Sequence, residues 1–356
     1  MKIVFTGGGT LGSGTPLLAV YEKLATPLTI RGGEGELKAY WIGTRGGIER
    51  ELIERSAIPF FAITAGKLRR YVDWRNFFTP IETLLGFFQA LSLLRKLRPS
   101  HVLSAGGYVA VPVVTAAALL GIPSYGMQLD VRPGLANRLI APIVKKMFVV
   151  FPETARFFSA RNVVVTGSVA RKMIKESPPE ARNKEKSETT RPMLLVLGGG
   201  TGALSLNEIV WQSLRQLTMF CDVVHITGPG KFRHVSLPHY ESYTFVKDAL
   251  PTLFRNADCV VTRAGMGTLS ELAALSKAAI VIPLPETHQE ENAALLARHG
   301  AAMVMQQSAL TPEKFIATIR GLFNDTSHQK ALGEKLHDTI PTDGAAHIAQ
   351  FFIHHS

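Results

Sequence analysis

A chain of 356 residues is longer than a single hydrophobic core usually serves, so two domains are expected. Hydrophobic residues make up 46% and charged residues 19%, which excludes a disordered chain; the two cysteines, Cys221 and Cys259, exclude a disulfide framework and a cysteine-built metal centre. A net charge of +11 narrows the partners to anionic ones: nucleic acid, an anionic membrane surface or phosphorylated small molecules.

Lys2 to Phe5 reads as a first strand that runs straight into glycines, without the apolar core and cleavage site of a signal peptide. Thr6 to Thr15 is a glycine loop, with Thr15 as the expected cap and Pro16 as the first residue of the helix behind it. Gly7, Gly9 and Gly12 fit G-x-G-x-x-G, but the acid that should end the next strand, Ala39 to Gly43, is missing, and Thr44-Arg45 stands there instead. A dinucleotide is disfavoured on that ground, as is a dehydrogenase. No Gly-Lys-Ser or Gly-Lys-Thr follows a glycine loop, which excludes a nucleoside-triphosphatase P-loop.

Lys67 to Phe78 mixes cations with large aromatics. It leads into a helix over Ile81 to Leu97 with Leu84, Leu85, Phe88, Leu91 and Leu94 in its apolar stripe. From Lys67 to Arg98 seven cations stand against Asp73 and Glu82, a net of +5. Such a mixture suits an anionic membrane surface; the plainer alternative is a stripe that faces an ordinary core. Pro99 to Met127 carries no formal charge, yet Gly106-Gly107, Pro112, Gly121 and Pro123 divide it, so no spanning helix is expected.

Further strands are expected at His101 to Ser104, Ser124 to Gln128, Phe148 to Phe151 and Val163 to Val165, alternating with helices as in a doubly wound α/β domain. Residues 172–192 are charged and aperiodic. After them the scheme restarts, with a strand at Met193 to Leu197, a glycine loop at Gly198 to Ala203 and a helix over Leu204 to Leu217. Strands follow at Val223 to Thr227, Tyr243 to Phe245, Cys259 to Thr262 and Ala279 to Ile282, and helices at Thr311 to Phe323 and Ala345 to His354. The expected division is 1–166 for the first domain, 167–192 for the linker, 193–340 for the second domain, and 341–356 for a helix returning to the first.

Asp258 to Asn292 carries the strongest chemical signal. A strand, the turn Ala264 to Gly267 and a helix from Thr268 aim free N–H groups and the positive end of a helix dipole at one place, which suits phosphate, with Arg263 at its mouth. Glu271, one turn in, can accept two ribose hydroxyls; alternatively Thr268 and Glu271 form a capping box. His288, Gln289 and Asn292 could offer side chains to a sugar. The chain has no Asp-x-Asp and no metal-ligand spacing, so no metal and no cofactor is indicated, and glycine loops, dipoles and an Arg would have to neutralise a diphosphate.

Five spaced motifs resemble one family across nearly the whole chain: Gly8-Gly-Thr-Leu-Gly12 with Pro16; Gly106-Gly-Tyr-Val109 with Pro112; Gly198-Gly-Gly-Thr-Gly-Ala203 with Asn207; Arg263-Ala-Gly265 with Thr268-Leu-Ser-Glu271; and His288-Gln289 with Asn292. This is the MurG family of peptidoglycan N-acetylglucosaminyltransferases. The resemblance implies a GT-B fold, two Rossmann-like domains facing an interdomain cleft. It implies an inverting, metal-independent enzyme of cell-wall biosynthesis, which moves N-acetylglucosamine from UDP-N-acetylglucosamine to lipid I. It also implies a peripheral position on the cytoplasmic face of the membrane, through Lys67 to Phe78, and no nucleic-acid partner. By position, Glu271 would take the ribose, Met266, Gly267, Thr268, Leu269 and Ser270 the diphosphate and nucleoside, and Val246 the uracil. Arg171 would line the nucleotide and Gln289 the sugar, with Gly200, Arg263, His288 and Asn292 counted among the substrate-binding residues. Thr10, Leu11 and Gly12 would face the reacting region, with Tyr108 beside the acceptor. The family's first loop usually ends in His where this chain has Ser13, and Asp130 is the expected substitute base. The alternatives are a UDP-N-acetylglucosamine 2-epimerase-like enzyme, another UDP-sugar:lipid transferase, or a catalytically impaired relative.

Overall fold

The computed structural model describes residues 1–8, 11–30, 37–46, 49–67, 77–170, 191–199, 202–246 and 249–354. Thr10, Arg171, Gly200, residues 68–76 and most of the expected linker lie outside them, as do the side chains of Leu11 and Ser13. The chain divides into two compact units: Met1–Val169 with Asp343–Ser356, and Ala170–Thr342.

In the first unit, β1 (Lys2–Thr6), β2 (Lys38–Thr44), β3 (Phe60–Ile63), β4 (His101–Ser104), β5 (Ser124–Gln128), β6 (Lys146–Val149) and β7 (Val163–Val165) form one sheet. Its order is β3-β2-β1-β4-β5-β6-β7 and every pairing is parallel. Parallel strands need crossovers, supplied by α1 (Leu11–Ile30), α2 (Glu49–Glu54), α3 (Thr79–Leu97), α4 (Ala110–Leu119) and α5 (Leu135–Ile140). Alternation along β1 shows both faces covered. Ile3 and Phe5 enter a core with Leu17, Val20 and Leu24 of α1, while Val4 enters another with Ala90 and Leu94 of α3 and Val113 of α4.

The second unit repeats the plan. β8 (Met193–Leu197), β9 (Asp222–Ile226), β10 (Tyr240–Tyr243), β11 (Cys259–Thr262), β12 (Ala279–Val281) and β13 (Met303–Val304) run in the order β10-β9-β8-β11-β12-β13, again all parallel. Its helices are α6 (Leu204–Leu217), α7 (Leu250–Asn256), α8 (Met266–Ala274), α9 (Gln289–Arg298), α10 (Pro312–Asn324) and α11 (Thr326–Thr339). The last helix, α12 (Gly344–His354), belongs to the first unit, where it packs on α1 and sends Ile348, Ala349 and Phe352 into the core around Ile3.

The structure corrects several local expectations. Helix α1 begins at Leu11, so Thr15 and Pro16 lie inside it rather than opening it. β10 ends at Tyr243, where the strand was expected to begin, and β6 starts two residues early. The apolar stripe of α3 divides: Leu91 and Leu94 are buried, whereas Ile81, Leu84, Leu85 and Phe88 are each more than half exposed. An ordinary core-facing helix does not describe its first half. Among the described residues no helix is long and apolar enough to cross a membrane.

Candidate functional site

Each sheet has one point where the chain stops winding to one side and begins winding to the other, between β1 and β4 in the first unit and between β8 and β11 in the second. The loops leaving those strand pairs diverge, and the crevice at their carboxyl ends is where ligands bind in such sheets. Every glycine motif of the sequence lies at one of these two points.

In the first unit the turn after β4 lies directly against the loop after β1. Gly107 has a φ of +79°, and a Cβ added there would come within 2.4 Å of the Gly8 carbonyl oxygen, so only glycine fits. Ser104 Oγ accepts from Gly106 N at 3.0 Å and steadies the turn. Tyr108 is half-buried, with its hydroxyl 3.4 Å from Thr44 Oγ1 at the end of β2. Asp130 is partly exposed on the loop after β5, and two amides hold that loop. Gln128 Nε2 donates to the Asp130 carbonyl at 2.8 Å, and Asn137 Nδ2 donates to Gln128 Oε1 at 2.7 Å and to the Met127 carbonyl at 2.8 Å. Sequence reasoning missed both amides as supports, although a buried Gln ending a strand and a buried Asn on an apolar helix signal such a task.

In the second unit the glycine loop after β8 closes against β9. Gly202 has a φ of +71°, and a Cβ there would stand 2.2 Å from the Thr227 carbonyl. Asn207, on α6, donates Nδ2 to that carbonyl at 2.9 Å, which turns its Oδ1 toward His225 Nε2 at 3.1 Å. His225 Nε2 must therefore carry the proton, and Nδ1 accepts from the Tyr240 hydroxyl at 3.1 Å. Burial pushes His225 down to about 4, so it is a neutral brace of the loop.

Helix α8 starts at Met266, two residues before the expected Thr268, with extended Gly265 as its N-cap and no side-chain cap bond. The capping-box alternative is thereby corrected: Thr268 lies within the first turn and Glu271 in the second. Of the expected nucleotide residues here, Gly267 is exposed and Thr268 half-buried, while Met266, Leu269 and Ser270 bury their side chains. Those three can face a ligand only through the backbone. Glu271 is 7% exposed.

Two sugar or phosphate assignments also change, those of Asn292 and Arg263. Asn292 is 1% exposed and donates Nδ2 to the Ala264 carbonyl at 3.0 Å, so it supports the turn from below. Gln289 Oε1 accepts from Leu284 N at 3.1 Å, which holds the loop before α9 and leaves the side chain partly exposed; His288 beside it is partly exposed as well. Arg263 does not stand at the mouth of the turn. It is 5% exposed, with Nη1 donating to the carbonyls of Ile282 at 3.1 Å and Pro283 at 3.2 Å. Its Nη2 donates to Ser205 Oγ at 2.8 Å and Gln307 Oε1 at 2.7 Å. Ser205 and Gln307 carry no local sequence signal, because a fold contact between distant segments gives them their role. Val246 is partly exposed after β10. Among the described residues no group of three or more His, Cys, Asp or Glu could hold a metal ion.

Two parallel doubly wound units, each with a glycine-lined switch point, place the chain in the GT-B fold class. The model for the glycosyltransferase family 28 N-terminal domain matches residues 3–149, and that for the family 28 C-terminal domain matches residues 193–348. The chain belongs to glycosyltransferase family 28 and, within it, to the MurG family. It is 36% identical over 348 residues to a UDP-N-acetylglucosamine--N-acetylmuramyl-(pentapeptide) pyrophosphoryl-undecaprenol N-acetylglucosamine transferase of Geobacillus thermodenitrificans, covering 96% of each chain. A Clostridium kluyveri protein of the same name is 36% identical over 328 residues, 90% of this chain and 91% of that one. The crystal structure of Acinetobacter baumannii MurG superposes with a TM-score of 0.76 at 26% identity, covering 99% of both chains. A UDP-N-acetylglucosamine 2-epimerase from Neisseria meningitidis shares the fold at a TM-score of 0.68 and 12% identity.

Proposed function

We propose that this protein transfers N-acetylglucosamine from UDP-N-acetylglucosamine to the N-acetylmuramyl-(pentapeptide) pyrophosphoryl-undecaprenol acceptor, lipid I, forming lipid II. One observation carries the reading: the match to transferases of that name holds at 36% identity over 96% of both chains, and so includes both switch points. The site chemistry supports the assignment of roles. The second unit takes the nucleotide: backbone N–H groups and the dipole of α8 meet the diphosphate, Glu271 the ribose, Val246 the uracil, and Gln289 the sugar. The acceptor hydroxyl attacks the anomeric carbon, the bond to UDP breaks with inversion, and Asp130 takes the hydroxyl proton in place of the family's histidine. Main-chain dipoles stabilise the leaving diphosphate without a divalent ion.

The exposed row of Phe77, Phe78, Ile81, Leu84, Leu85 and Phe88 on and before α3 follows helical spacing and adjoins the basic stretch that begins at Lys67. We assign it to the cytoplasmic membrane surface, where the lipid-linked acceptor resides, as a peripheral attachment.

The test is a transfer assay with UDP-N-acetylglucosamine and a short-chain lipid I analogue, run with EDTA and with magnesium. Acceptor-dependent release of UDP under both conditions is expected. Conversion of UDP-N-acetylglucosamine without acceptor would instead support the epimerase chemistry of its fold relatives.

A further inference from the structure

We infer that Arg263 is a positioning residue whose buried charge lacks a counterion among the described residues and receives it from the donor's diphosphate. The inference rests on the reading that the second unit binds that diphosphate. The four donors on its two terminal nitrogens go to two carbonyls, one hydroxyl and one carboxamide, all of them neutral. Its Nε is buried and has no hydrogen-bond partner among the described residues. No carboxylate among the described residues pairs with it, although an ion 5% exposed has lost most of its hydration. A buried cation in this condition is costly to the free protein, and a nearby anion repays more there than in water.

Position says which anion. Arg263 directly follows β11, and Gly265, the N-cap of α8, comes two residues later, so guanidinium and helix dipole both favour negative charge at the same switch point. The fork also fastens the segments that surround that point. It joins the end of β11 to the carbonyls beyond β12, to Ser205 in the first turn of α6, and to Gln307 beyond β13. Ser205 Oγ further donates to Gln307 Oε1 at 3.0 Å and closes a triangle on the same oxygen. Arg263 thus works through the loops it holds and through its field, with the N–H groups of its two terminal nitrogens already committed to protein.

Gln307→Glu separates the field from the fork. It places a carboxylate at the same acceptor position, keeps the hydrogen bonds and neutralises the guanidinium in place. UDP and uridine affinities of the full chain, measured by calorimetry or competition, give the readout, with the melting temperature beside them. The expected result is UDP binding weakened about tenfold or more, uridine binding unchanged within about twofold, and a melting temperature not lowered. Equal change for both ligands, or unchanged UDP affinity, overturns the inference. If Gln307→Glu does not fold, Arg263→Lys and Arg263→Gln decide the matter: Lys should keep the preference for UDP over uridine and Gln should lose it, and equal preferences overturn the inference. A wild-type protein that binds no UDP refutes the nucleotide reading itself, a failure distinct from these.

Discussion

His225 is wholly buried between Asn207 and Tyr240, and its neutral form is the one the fold accepts. With a folded value near 4 against an ordinary 6.5, the unfolded chain takes up a proton first as pH falls. Its contribution is therefore intact above about pH 6.5 and is lost progressively toward pH 4, by roughly 3 kcal/mol in all. Melting curves between pH 4 and 7.5 should show a fall that His225→Gln reduces; parallel profiles would remove His225 from the acid response. In the first unit, Asp130→Asn should lower turnover about a hundredfold or more while leaving the affinity for UDP-N-acetylglucosamine unchanged. Unaltered turnover takes Asp130 out of the mechanism. The place of Glu271 in a helix behind a glycine turn was legible. The burial of Arg263 and Asn292 was not, because nothing local tells which loops will close over a polar side chain.

At the scale of elements, α3 shows how far periodicity reaches. The spacing of its apolar residues announces a helix, yet Leu91 and Leu94 enter the core while Leu84 and Phe88, on the same stripe, meet solvent. Leu84→Ser with Phe88→Ser should reduce sedimentation with vesicles rich in phosphatidylglycerol by about fivefold or more, with little change in melting temperature, since neither side chain supports the core. Undiminished sedimentation would locate the contact elsewhere. Short or polar elements were harder to read. β13 has two residues, too few for alternation, and β3 is a four-residue edge strand. α11 is polar enough that only its cap marks it: Asp325 Oδ1 accepts from His328 N at 2.9 Å. By contrast α10 begins at Thr311-Pro312, a cap and first-turn proline visible in the sequence, and Thr311 Oγ1 does accept from Lys314 N.

For the whole molecule, the repeated order of strand, glycine loop and helix was readable because parallel strands buried on both faces are uniformly apolar and stand out from the loops. The pairing order of the strands was not readable, since partners such as β1 and β4 lie about a hundred residues apart. The closure of the first unit by the end of the chain is likewise a long-range fact. Gly344 N donates to the Ser168 carbonyl at 3.0 Å, Val169 bridges to Asp343, and Phe352 packs edge-on against Tyr125 at 4.9 Å between ring centroids. Phe352→Ala should destabilise the first unit by about 3–5 kcal/mol, read as a lowered denaturation midpoint, because it empties a fully buried site. A midpoint within about 1 kcal/mol of wild type would mean that the helix is dispensable to that core.

Amide hydrogen exchange with and without saturating UDP shows whether the switch point of the second unit takes the nucleotide diphosphate. Slowed exchange is expected across Ala264 to Glu271 and the glycine loop ending at Ala203, with the turn at Gly106-Gly107 unaffected. Protection confined to the first unit, or absent from Ala264 to Glu271, would contradict that assignment.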